Sequence, residues 1–155
     1  MIDLNIVANN FAEITKRLFP MWSDIVLNNA GAEIRRRIFN EGGATDGKIG
    51  SYKSKTKLIR EQLGLQTAYV DLESTGTLRR SIQVGISEND KVLGIAEINY
   101  ENNFSTDKNA NVQEKNFKKE IFTISEKEIE IAFKGADEWL DKQLDIELEK
   151  MFKNA

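Results

Sequence analysis

The 155-residue chain contains no cysteine, no histidine and a single proline, Pro20. Without cysteine there is no disulfide, no thiolate metal ligand and no thiol nucleophile. Without histidine the commonest general base, the commonest metal ligand and every histidine-dependent triad are excluded. Long apolar runs are also missing. None exceeds three residues, so no transmembrane helix is expected. The start, Met1-Ile2-Asp3-Leu4-Asn5, lacks the basic and apolar regions of a signal peptide. The expectation is a chain kept in a cytoplasm, or assembled into something there.

What is present describes a fairly polar chain, 40% hydrophobic and 30% charged. Its length suits a single α+β domain over residues 1–155. Surface scaling predicts that roughly 8,000 Å² of roughly 25,000 Å² stays exposed on folding, so a core forms without staples. The net charge of −3 is unevenly spread. Residues 1–80 hold 12 basic and 9 acidic side chains, and residues 81–155 hold 10 and 16. This is a mild dipole rather than a nucleic-acid footprint. An object with unlike ends is suited to stacking head to tail or to sitting between two different partners.

Periodicity predicts helices at both ends. Phe11, Ile14 and Leu18 recur at helical spacing, and Trp22, Val26, Ala30, Ile34 and Ile38 follow at four-residue steps. Pro20 either starts a second helix or kinks one long one. Arg35, Arg36 and Arg37 suit the negative pole near the helix end, and Gly42-Gly43 stops it. Residues 42–57 read as a polar loop, and Lys57–Leu65 as a short helix ended by Gly64. Residues 68–72 are left between extended and helical. Ile82, Val84 and Ile86 share one face of a strand. A turn over 87–91 leads into a second strand, Val92 to Tyr100, completing an antiparallel hairpin that needs further cover. Residues 101–116, with four asparagines, read as a long mobile loop. Ser125 and Glu128 form a capping box for a final amphipathic helix. Its stripe is Ile129, Phe133, Ala136, Leu140, Leu144, Leu148 and Met151, and Gly135 costs it up to about 1 kcal/mol.

Candidate chemistry is sparse. Gly42-x-x-x-x-Gly47-Lys48 imitates a phosphate-binding loop, but Ile49 stands where a metal-binding hydroxyl belongs, and the segment follows a helix instead of a strand. Glu41, Asp46, Asp71 and Glu73 offer carboxylates without a diagnostic spacing. Arg79 and Arg80, read as adjacent strand positions, point to opposite faces and form no common patch. Trp22 reads as core. Trp139 and Ile146 lie one step beside the final stripe, either as the edge of the core or as a small apolar patch for a neighbouring subunit.

Residues 33–86 carry a more informative pattern. Glu33-Ile34-Arg35-Arg36-Arg37-Ile38-Phe39-Asn40-Glu41-Gly42-Gly43 ends a helix, and a loop with Asp46-Gly47 and Tyr52 follows. Then comes Leu72-x-x-Thr75-Gly76-Thr77-Leu78-Arg79-Arg80-Ser81-Ile82. This resembles the phage virion morphogenesis family of tail completion and head–tail joining proteins. Phe122-Thr123-Ile124-Ser125-Glu126-Lys127-Glu128 is similar to that family's apolar stretch and serine cap before its last helix. Where the family often has a histidine after the hairpin turn, this chain has Ile98-Asn99-Tyr100. Where it often has a proline–arginine pair, this chain has Phe117-Lys118-Lys119.

The resemblance implies an α+β fold with N-terminal helices, a central hairpin or small sheet and a long C-terminal amphipathic helix. It implies a structural virion protein at the head–tail junction or tail end, assembled as a homo-oligomeric ring in the bacterial host cytoplasm. Its partners would be other virion proteins, such as tail tube, tail terminator or head–tail connector. It implies no membrane, only indirect contact with DNA, and no catalytic, cofactor or metal residues. Arg79, Arg80, Trp139, Ile146 and Tyr52 become interface candidates. Thr75 and Gly76 form a structural turn, with glycine permitting the bend and threonine able to close it by a hydrogen bond. The alternatives are a host-encoded adaptor module and a carboxylate-dependent hydrolase or nuclease.

Overall fold

The apolar steps of the first forty residues fold into one helix, α1 (Leu4–Arg35), which runs through Pro20. The computed structural model describes residues 4–73, 76–86, 96–100 and 104–153. The last turn of α1 widens into a π-helical turn, Arg36–Asn40, closed by Glu41 N–H donating to Arg36 C=O. The wider turn lets two consecutive side chains, Ile38 and Phe39, enter the core together. The polar loop then contains a minimal antiparallel pair, β1 (Gly43–Ala44) and β2 (Gly47–Lys48). Gly42 starts this turn at φ 63°, where a Cβ would lie 2.8 Å from the Val70 carbonyl oxygen.

The short helix α2 spans Ser54–Gln62, and α3 spans Thr77–Ser81. The hairpin expected from alternation pairs β3 (Ile82–Ile86) with β4 (Ala96–Tyr100), in a register from Ile82 opposite Tyr100 to Ile86 opposite Ala96. The expected turn and the start of the second strand, Val92 to Ile95, lie outside the described residues. Two further helices follow, α4 (Phe104–Phe117) and α5 (Glu126–Lys153). The architecture is therefore α+β, with long helices at both ends of the chain and a small antiparallel sheet between them.

Some expectations need correction. The mobile loop over 101–116 is mostly helix α4. Its sequence has weak helical periodicity, but Ala110 is buried in the core and Phe117 packs against it. Glu114 also accepts the N–H groups of Ile121 and Phe122 at 2.9 and 3.0 Å, which holds the chain leaving α4. Arg79 and Arg80 belong to the helical turn α3 instead of the strand, because Gly76 at φ 74° starts a turn that Arg80 N–H closes onto Gly76 C=O. Strand geometry therefore does not govern where these two arginines point.

The core lies where the C-terminal end of α1 meets the sheet and the segment before α5. Ile34, Ile38, Val70, Ile82 and Ile121 are fully buried there, joined by Phe39, Ala44, Ile49, Ala110 and Phe122. From this base α1 and α5 extend side by side as an antiparallel arm. Asn29 donates to Ala132 C=O, Trp22 Nε1 donates to Asp137 at 2.9 Å, and Arg17 pairs with Glu147 at 2.7 Å. The buried residues of α5 are Glu128, Ala132 and Ala136. Of the stripe read in sequence Ala136 is buried, Leu140, Leu144 and Met151 are half-buried, and Ile129, Leu148 and Phe133, which lies against Trp22, are exposed. Trp22 is accordingly half-buried in the arm, between Phe19 and Phe133, and is not a core residue.

Three adjacent arginines near the end of α1 tie the base together. Arg35 donates to Ile82 C=O at 2.8 Å, and Arg36 pairs with Glu33 and Glu41. Arg37 reaches the N-terminus of α5, where it meets Glu128 at 2.7 Å. The capping box forms as expected: Glu128 accepts from Ser125 N–H and Oγ–H at 2.9 and 2.8 Å.

Candidate interaction surfaces

A buried polar cluster positions α2. Every side chain of this helix is exposed except Arg60, which is buried. Its guanidinium donates to both oxygens of the Asp71 carboxylate at 2.8 and 2.9 Å. It also donates to Gln66 C=O at 2.8 Å and Glu73 C=O at 2.7 Å. This fork uses the planar geometry that suits arginine to a buried carboxylate. Asp71 further accepts from Tyr52 O–H at 2.8 Å, Gln66 Nε2 at 2.6 Å and Glu73 N–H at 3.0 Å. Between these anchors Leu72 adopts φ 52°, a left-handed conformation that costs a residue with a Cβ about 1–2 kcal/mol. The hydrogen bonds on both sides hold it there.

Tyr52 is thus part of an intramolecular cluster, with the Arg60 guanidinium 4.5 Å from its ring centre. Burial, reinforced by the hydrogen bond to Asp71 and that residue's charge, pushes the Tyr52 phenol from 10.0 up to about 12. A raised folded-state value favours the protonated folded form. Its stabilisation is complete below about pH 10, where the unfolded phenol begins to ionise, and is lost as pH rises towards 12. Wild type is expected to lose stability against Tyr52→Phe across that window in urea titrations at stepped pH. Parallel curves for the two proteins would refute the coupling.

The other residues singled out by sequence are scattered. Arg79 is half-buried, pairs with Glu73 at 3.2 Å and lies 5.8 Å from the Phe39 ring centre. Arg80 is exposed on α3. Gly76 takes the left-handed conformation that the turn requires, and Thr75 lies outside the described residues. Trp139 is half-buried on α5, and Ile146 is exposed. The structure does not bring these residues to one surface patch by any contact between them.

The four carboxylates considered for acid–base or metal chemistry each meet a different cation. Asp71 meets Arg60, Glu73 meets Arg79, Asp46 meets Lys119 and Glu41 meets Arg36. No group of three or more acidic side chains able to hold a metal ion occurs among the described residues. The glycine-rich segment is a β-turn pair, with Lys48 Nζ donating to Glu41 C=O at 2.8 Å and Ile49 buried. No described helix is long and apolar enough to cross a membrane.

Sequence reading missed the apolar groups left on the outside. Phe11, Phe19 and Met21 are at least half-exposed on α1, and Leu148 and Phe152 are exposed on α5. On α2 and just after it, Leu58, Ile59 and Leu63 are exposed. The accessible surface is 10902 Å², against the roughly 8,000 Å² that scaling gives a compact monomer of this mass. The signal lay in helix geometry, since a two-helix arm has only one inward face for each helix.

No family model, no curated protein and no solved structure compared with the chain matches it.

Proposed function

We propose that this chain is a structural subunit of a phage or prophage virion, placed at the head–tail junction or tail end. It acts by assembling into a ring with copies of itself and by contacting other virion proteins such as tail tube, terminator or connector. The observation that carries the assembly part is the set of large apolar side chains exposed along α1, α2 and α5. Exposed apolar groups gathered along elements mark surfaces that another protein covers. The virion part rests on the resemblance running from Leu72 to Ile82. In that segment Gly76 forms the left-handed turn, Ser81 Oγ–H donates to Leu78 C=O at 2.8 Å, and Ile82 is fully buried.

The test is electron microscopy of a lysate in which this gene alone is disrupted. Filled heads accumulating apart from finished or abnormal tails are the expected result. Normal, infectious particles would overturn the virion reading and turn attention to a host-encoded adaptor.

A further inference from the structure

Helix α2 is attached unusually. A surface helix normally buries an apolar stripe and turns its charges outward. Here the one buried side chain is Arg60, and the aliphatic residues are exposed. At 100° per residue, Leu58 lies about 160° and Lys55 about 140° round the helix from Arg60, with Ile59 about 100° away and Leu63 beside Ile59 at the C-terminal end. Leu58 is 56% exposed, Ile59 47% and Leu63 65%. Lys55 is the charged residue of this face, whereas Lys57 and the acid Glu61 lie on other sides of the helix. The face is apolar, with the single cation Lys55 at its N-terminal end.

A surface of the opposite kind runs along the outside of α5. Glu138, Asp141, Asp145, Leu148 and Phe152 follow at steps of three, four, three and four, so they share one face. All five are exposed, Phe152 at 66%. Ala132 and Ala136, buried towards α1, lie on the opposite side of the helix. The outer face is apolar and anionic. In both faces the charged residues come first and the apolar residues after them. Lys55 to Leu63 spans about 12 Å of axis and Asp145 to Phe152 about 10 Å. Laid parallel, the two faces match charge to opposite charge and aliphatic to aliphatic.

We infer that α2 of one copy docks along the outer face of α5 in a second copy. The inference rests on the ring-assembly reading above and names its contact. The occupant is a second copy because the basic N-terminal half and the acidic C-terminal half of one chain carry the two complementary faces. Each copy then offers one face of each kind, which is a heterologous contact that closes into a ring when the rotation per copy allows. Each half of such an interface needs about 800 Å², well within the surplus of exposed surface.

The test is sedimentation velocity on the full chain over a concentration series. One variant carries Lys55→Glu, and the other Asp141→Lys and Asp145→Lys. Circular dichroism confirms that both are folded. Wild type is expected to form oligomers that weaken about tenfold or more between low salt and ~0.5 M NaCl. Each variant alone is expected to associate at least about tenfold more weakly. Their equimolar mixture regains assembly, because both contacts in an alternating array again join opposite charges. A monomeric wild type, variants that assemble like wild type, or a mixture that stays dissociated would each overturn the contact. Loss of assembly on Phe19→Glu with no effect of either charge reversal would assign the interface to the other side of the arm instead, and also overturn it. Disjoined heads and tails in the gene disruption, together with a monomeric chain, would retire this contact while leaving the virion role standing.

Discussion

Replacing Arg60 by methionine is expected to lower the unfolding free energy by about 3–5 kcal/mol, the usual cost of stranding one partner of a buried ion pair. The Asp71 carboxylate would keep Tyr52, Gln66 and the Glu73 N–H but lose both guanidinium bonds. The carbonyls of Gln66 and Glu73 would lose their donor as well. Since no other side chain of α2 is buried, that helix should also lose hydrogen-exchange protection first. Arg60→Lys should rescue little, because an ammonium lacks the fork that reaches a carboxylate and two carbonyls together. Arg60→Met combined with Asp71→Leu should recover only part of the loss, since no lone charge then remains but Tyr52 O–H, Gln66 Nε2 and the Glu73 N–H lose their acceptor. Urea denaturation of the three variants reads all of this. A loss below about 1 kcal/mol for Arg60→Met would mean that the cluster does not anchor the helix.

Arg37→Met is expected to cost a comparable ~3–5 kcal/mol by a different route. Arg37 and Glu128 are both nearly buried, with side-chain exposures of 11% and 5%. The guanidinium also donates to Gly43 C=O at 3.3 Å, Ile121 C=O at 2.9 Å and Thr123 C=O at 2.8 Å. It thereby joins the π-helical turn, the segment before α5 and the capping box of α5. Glu128→Ala should cost a similar amount, since it removes the pair and the cap together. The double variant should cost clearly less than the sum, because the two residues act through one contact. Strict additivity in denaturant midpoints would show that the pair is not coupled.

Features set by near neighbours were legible. The capping box needs only Ser125 and Glu128, three residues apart, and it formed. Alternation at Ile82, Val84 and Ile86 located the first strand of the hairpin. Helix α4 was hidden because asparagine, serine, threonine and aspartate have weak helix propensity, and its support comes from Ala110, Glu114 and Phe117 meeting distant parts of the core. Gly76 was recognised as a turn residue, but the helical turn after it was not. That turn moved Arg79 beside Glu73 and Phe39.

The same division holds for the surfaces. Composition excluded thiol and imidazole chemistry outright, and the charge asymmetry between the two halves was visible by counting. Helical periodicity established the long helices at the two ends, since residues three and four apart are neighbours on any helix. Periodicity did not determine which apolar residues would be covered. The inward face of α5 became Ala132 and Ala136, small enough for a close approach to α1, while Leu148 and Phe152 were left outside. Nor did it determine that three consecutive arginines serve three destinations, or that Arg60 would be the buried residue of α2. The contact of Arg37 with Glu128 joins positions 91 residues apart. Such pairings exist only once the chain has closed on itself, and they gain their strength from the water that closure excludes.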